Sequence, residues 1–197
     1  MINNVTRNSL MVLPSLPEKL GGHFDSLLCR SNPLSVDELC TLLHTLSAHR
    51  DELEQFARFD EKCYRRNRIF RNDALDVLLL CWRPSQRTPI HDHTGSTCGV
   101  YVVQGEATEI GFNPSGVGLL VPTGSKQLRA RDITVSVDSD AHLVGNFAAP
   151  AQDLITLHCY SPPLSSMRVF DQHETFFANY GPITESATST GCYHHEI

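Results

Sequence analysis

From Tyr64 onward the chain is cut into short apolar runs by turn-forming residues, and no other feature restricts the available folds as strongly. Residues 76–82, 98–103, 108–112, 133–137, 142–147 and 154–160 are runs of five to seven residues, with Gly, Pro, Asn, Asp and Ser between them. Short runs bounded by such residues read as strands. Strands in close succession close into an antiparallel sandwich or barrel. Gln104-Gly105-Glu106 reads as a tight hairpin turn joining two of them.

The first third carries a different period. Ser35 and Glu38 stand three residues apart just after Pro33-Leu34, the spacing of a capping box. Leu39, Leu42, Leu43, Leu46 and Leu53 then follow helical spacing on one face, which marks them as core. An earlier helix is expected over 16–28, weakened in its middle by Gly21-Gly22. The expectation is one domain over 1–197, helical to about residue 60 and a β-barrel from about 64 to 180. The polar tail over 184–197, with His194-His195, reads as loosely packed.

Composition excludes several classes. The formal net charge is −6 and no basic run offers phosphate neutralisation, so nucleic acid is not the expected partner. No apolar stretch approaches the roughly 20 residues needed to cross a bilayer. The N-terminal residues lack the basic-then-apolar order of a signal peptide. Seven cysteines are scattered without CxxC spacing. They read as reduced, mostly buried thiols of a cytoplasmic protein. A monomer is expected.

His91-Asp92-His93 sits between two of the predicted strands. Residues i and i+2 of a strand point to one face, so two imidazoles at this spacing converge. Neutral imidazole is the commonest protein ligand of a first-row transition ion. Alone, in a chain with ten histidines, the pair fits a surface position as well as a metal site. His23, His44, His49 and His173 read as ordinary polar residues.

The surrounding spacing resembles the first motif of the cupin superfamily. His91-x-His93 is followed by four residues, then Cys98, then six residues and Gly105; a Glu usually stands where Cys98 stands. His142-Leu143-Val144-Gly145-Asn146 resembles the end of the second motif. The chain is more closely similar to thiol dioxygenases of the cysteine dioxygenase family. Four segments carry that resemblance: Tyr64-Arg65-Arg66-Asn67, Cys81-Trp82, His91-Asp92-His93-Thr94-Gly95-Ser96-Thr97-Cys98, and His158-Cys159-Tyr160-Ser161-Pro162-Pro163.

The resemblance implies a cupin-type double-stranded β-helix barrel, mainly β, with N-terminal α-helices. It implies Fe(II) held by His91, His93 and His142, a small thiol amino acid and O2 as substrates, and sulfinate as product. Arg66, accompanied by Tyr64, would bind the substrate carboxylate. Tyr160 would present its hydroxyl to the reacting groups, His158 would orient it, and Cys98 would form a thioether cross-link to its ring. Three neutral histidines leave the ion its full charge and several open positions, which suits an anionic thiolate. Guanidinium matches a carboxylate bidentately, and relatives that prefer 3-mercaptopropionate carry Gln at the place of Arg66.

Met167-Arg168 departs from the family's Cys-His, and a second guanidinium near the pocket would favour a diacid thiol such as mercaptosuccinate. Thr156 replaces the family's Ser and keeps a hydroxyl. Two other classes stand beside this one. A zinc isomerase or hydrolase also suits three histidines but needs a general base, and no carboxylate stands at the right place in the sequence. A non-enzymatic metal-binding cupin would not need Arg66, Cys98, His158 and Tyr160 together. The remaining cysteines, Cys29, Cys40, Cys63, Cys81, Cys159 and Cys192, read as structural.

Overall fold

The computed structural model describes residues 16–93, 95–115, 119–137, 141–164, 167–170, 177–180 and 188–190. Thr94, His173, Cys192 and the His194-His195 pair lie outside the described residues.

Three helices come first: α1 (Glu18–Asp25), α2 (Val36–Ser47) and α3 (Arg50–Glu54). The capping box closes as its spacing predicts. Ser35 Oγ accepts from the Glu38 N–H at 3.3 Å, and Glu38 Oε2 accepts from the Ser35 N–H at 2.8 Å. Two of the first-turn donors of α2 are thereby satisfied. The leucine stripe is interrupted at His49, which leaves helical conformation (φ −111°, ψ 40°). Leu53 therefore comes from a separate short helix, yet all five leucines are buried. Each contributes about 1.5–3 kcal/mol on burial.

Twelve strands follow among the described residues: β1 (Arg65–Arg71), β2 (Asp76–Trp82), β3 (Ile90–His91), β4 (Thr97–Gln104), β5 (Glu106–Pro114), β6 (Leu120–Arg129), β7 (Ile133–Val137), β8 (Ala141–Gly145), β9 (Leu154–Ser161), β10 (Met167–Phe170), β11 (Phe177–Tyr180) and β12 (Thr188–Thr190). They form two antiparallel six-stranded sheets, ordered β12-β1-β2-β9-β4-β7 and β11-β10-β3-β8-β5-β6. This is the mainly β, cupin-type double-stranded architecture with N-terminal helices.

The central strands of the first sheet, β2 and β9, are buried on both faces. Val77, Leu79 and Cys81 of β2 join the helix leucines in one core, while Leu78, Leu80 and Trp82 join Cys98 and Tyr160 in another, between the sheets. Strand alternation sorts one continuous apolar run into two compartments. Gly99 of β4 lets α2 lie directly on the sheet, since a Cβ there would stand 2.6 Å from Leu43 Cδ1.

Three expectations are corrected. Gln104-Gly105-Glu106 is not a hairpin: β4 and β5 lie in different sheets, and Gly105 turns the corner between them. Its φ is +84°, and a Cβ would stand 2.8 Å from the Asp153 carbonyl oxygen, so only glycine fits. The polar segment Leu120–Arg129, not singled out in the sequence, is β6. It pairs with β5 alone and forms the sheet edge, where Pro122 and Gly124 are tolerated. The tail is not wholly loose, because β12 pairs with β1 with Asn67 opposite Thr188. Finally, the thiols are not all reduced: Cys63 is disulfide-bonded, while the described cysteines are mostly buried as expected. Disulfides depend on Cα atoms meeting within about 4.4–6.8 Å, which spacing along the chain does not reveal. No described helix is long and apolar enough to cross a membrane.

Candidate metal centre

His91 and His142 are direct cross-strand partners on β3 and β8. His93 lies two residues beyond the end of β3, so strand alternation alone does not aim it. Its approach is held by Asp92, which is fully buried. The Asp92 N–H donates to the Arg168 carbonyl at 3.2 Å, and Asp92 Oδ2 accepts from Arg168 Nε at 2.6 Å.

The three rings meet edge to edge, with centroids 4.7–4.8 Å apart and interplanar angles of 63–79°. One nitrogen from each lies within 4.8 Å of the others, and all three residues are buried. The Nε2 atoms of His91 and His93 are 3.0 Å apart. His91 Nδ1 is 3.0 Å from the Pro89 carbonyl oxygen. A carbonyl only accepts, so Nδ1 carries the proton and Nε2 presents its lone pair inward. Burial, and then the neighbouring His93 and His142, hold the His91 pKa well below 6.5, so the ring is neutral. Three buried imidazoles, with no carboxylate among them, are a donor set that fits a divalent first-row ion.

The rest of the site comes from the barrel-facing residues of β9. Thr156, His158 and Tyr160 alternate onto one face and bond in series. Trp82 Nε1 donates to Thr156 Oγ1 at 2.9 Å, His158 Nε2 lies 2.9 Å from the same oxygen, and the Tyr160 hydroxyl lies 3.3 Å from His158 Nδ1. Burial foremost, then His93, Arg66 and His142, push the His158 pKa down to about 3. Cys98 of β4 stands directly opposite Tyr160, the separation at which cross-strand side chains touch. The Tyr160 ring is 5.2 Å from that of His93.

These groups surround a cavity of about 160 Å³ lined by His91, His93, His142, Cys98, His158, Tyr160 and Arg66, among others. Of the three neighbouring arginines only Arg66 lines it. Arg68 is committed to Asp76, with Nε 3.0 Å from Oδ1. Tyr64 does not line the cavity. It stands behind Arg66, accepting from Nη2 at 2.8 Å, and stacks on Trp82 at 4.2 Å. Met167 packs beside Arg66, its Sδ 4.0 Å from Nη2. Arg168 alternates to the opposite side of β10 and pairs with Asp92. It is not a second guanidinium in the cavity, which removes that argument for a diacid thiol.

One carboxylate that the sequence did not reveal is present. Glu109 of β5 lines the cavity, with Oε1 2.8 Å from His142 Nδ1. Residues 108–112 read as a strand, but only the register of β5 on β8, with Gly111 opposite His142, puts Glu109 diagonally beside that histidine. Lys126, Thr134 and Ser136 complete the wall on the β6–β7 side and were likewise not foreseen.

A family model described as cysteine dioxygenase type I matches residues 23–173. The cysteine dioxygenase type 1 of Danio rerio is 30% identical over 168 residues, 79% of this chain and 83% of that protein. The Homo sapiens protein of the same description is 28% identical over 174 residues, 82% and 86% of the two chains. Among solved structures, an uncharacterized conserved protein with a double-stranded beta-helix domain from Klebsiella pneumoniae has a TM-score of 0.47 at 18% identity, covering 59% of this chain and 87% of that one.

Proposed function

This chain belongs to the cysteine dioxygenase type I family, and on that premise we propose that it is an Fe(II) enzyme oxidising L-cysteine with O2 to cysteine sulfinic acid. The observation that carries the reading is the single cavity in which three inward histidines face a buried guanidinium. Its volume of about 160 Å³ is well below the roughly 300–1,000 Å³ of drug-sized pockets, which suits a substrate of a few heavy atoms.

His91, His93 and His142 would hold the iron. Bound there, iron would supply the redox chemistry that a reaction between a thiol and O2 requires. Arg66 receives the carboxylate through two parallel N–H donors. The Tyr64 hydroxyl and the Met167 thioether steady its side chain from behind. Trp82 Nε1 is donor-only, so Thr156 Oγ1 accepts there and its own proton is available to His158 Nε2. His158 Nδ1–H then donates to the Tyr160 oxygen, leaving the phenol proton directed at the substrate. Because His158 stays uncharged until pH falls to about 3, this polarity holds across the working range.

Cys98 and Tyr160 join in a thioether as O2 accepts the two hydrogens lost from the thiol and the ring. Peptide mass spectrometry after aerobic turnover should show a loss of about two hydrogens on this pair, absent in Cys98→Ser. The substrate is tested by oxygen uptake of the Fe(II)-loaded protein with L-cysteine, 3-mercaptopropionate and mercaptosuccinate. L-cysteine should have the highest kcat/KM. A lead of more than about tenfold for either alternative, roughly 1.4 kcal/mol, transfers the assignment to that thiol.

A further inference from the structure

We propose that Glu109 is a positioning residue of the metal centre, one that fixes the third histidine and strengthens it as a donor. The inference rests on His142 being a ligand. Three observations point to it. Glu109 Oε1 lies 2.8 Å from His142 Nδ1, the ring atom that does not face His91 and His93 if Nε2 is the donor. The contact is built by register: Gly111 opposes His142 and Glu109 opposes Val144, so Glu109 reaches its target diagonally on one face. The His142 side chain is 11% exposed and that of Glu109 28% exposed, so the pair is only partly screened by water.

The chemistry separates two histidines that are otherwise alike. His91 donates its Nδ1–H to a neutral carbonyl, that of Pro89. His142 donates to an anion, and a charge-assisted hydrogen bond is roughly twice as strong as a neutral one. Pulling the Nδ1 proton toward the carboxylate raises electron density at Nε2, making His142 the more basic donor. The superfamily's usual carboxylate is absent from the ligand set, where Cys98 stands instead. Negative charge returns one bond further out, where it tunes the ion without occupying a coordination position.

Cobalt affinity of the metal-free protein, measured by competition with a chelator, tests this, together with the visible spectrum of the cobalt-saturated protein. Glu109→Ala should weaken cobalt binding about 10–100-fold and shift the visible bands at saturation, with the metal-free thermal midpoint unchanged. Glu109→Gln keeps an acceptor of nearly the same shape and loses the charge, so its affinity should fall between wild type and Glu109→Ala. Glu109→Ala binding within about threefold of wild type with an unshifted spectrum overturns the proposal. Glu109→Gln equal to wild type overturns the part assigned to charge. His142→Ala serves as the reference: if it keeps full affinity, the ligand set itself is wrong, whereas its loss beside an unaffected Glu109→Ala removes only the role of Glu109.

Discussion

Strand β9 is buried on both sides, and its two sides hold opposite chemistry. Ile155, Leu157 and Cys159 face the helices and join a core of leucines and phenylalanines. Thr156, His158 and Tyr160 face the barrel, linked by hydrogen bonds and aimed at the three-histidine cavity. The thiols show the same division. Cys159, on the helix side, has its pKa pushed well above the ordinary 9.0 by burial, and Cys81 on β2 is pushed up to about 11 for the same reason. Thiols held protonated are inert. Cys98, on the barrel side, lines the cavity opposite Tyr160. One face supplies the burial that keeps the sheet in place, and the other spends that rigidity on groups held at fixed distances.

The largest expected effect is on the barrel side. His142→Ala should lose both bound iron, by elemental analysis, and all thiol-dependent oxygen uptake. A variant that keeps both removes the functional half of the contrast.

Arg66→Ala comes next. Leaving the substrate carboxylate without its charged partner should cost about 2–5 kcal/mol in kcat/KM, with iron content unchanged. A loss confined to iron content would assign Arg66 to the scaffold instead.

On the helix side, Leu157→Ala should cost about 2–5 kcal/mol of unfolding free energy by denaturant titration. Turnover per folded, iron-loaded molecule should be kept. If turnover falls as far as in Arg66→Ala, the two faces are not separable.

Smallest near neutral pH, and growing only in acid, is the effect on the stability of the metal-free protein. His158 has a folded pKa of about 3 against an ordinary value of 6.5. Between these values the unfolded chain binds the proton and the folded one does not, so stability falls as pH drops from about 6.5 toward 3. His158→Gln should flatten that part of the profile, measured by thermal unfolding across pH. An unchanged slope would show that folding does not depress the pKa of His158.

Much of this division was legible in the chain. The apolar runs of 76–82 and 154–160 mark both as strands, although a continuous apolar run such as 76–82 does not say which side faces the cavity. The capping box at Ser35 and Glu38 announces α2, and its leucines announce what α2 covers. The resemblance gathered His91, His93, His142, Cys98, His158, Tyr160 and Arg66 as one group, and the fold brings all seven to one cavity. Tyr64 was placed in that group but stands behind Arg66, because β1 begins at Arg65 and Tyr64 stacks on Trp82 instead.

What the sequence determined by itself is therefore local: element type, and the residue types a metal and a carboxylate require. Those follow from backbone periodicity and side-chain chemistry, which are properties of near neighbours along the chain. The tertiary structure decided everything that depends on register and on which sheet a strand joins. Gly105 turns between sheets instead of closing a hairpin, Arg168 pairs with Asp92 instead of entering the cavity, and Glu109 meets His142 from 33 residues away. A slip of one residue in any of these pairings would send the side chain to the opposite face, so no spacing along the chain can stand in for the closed barrel.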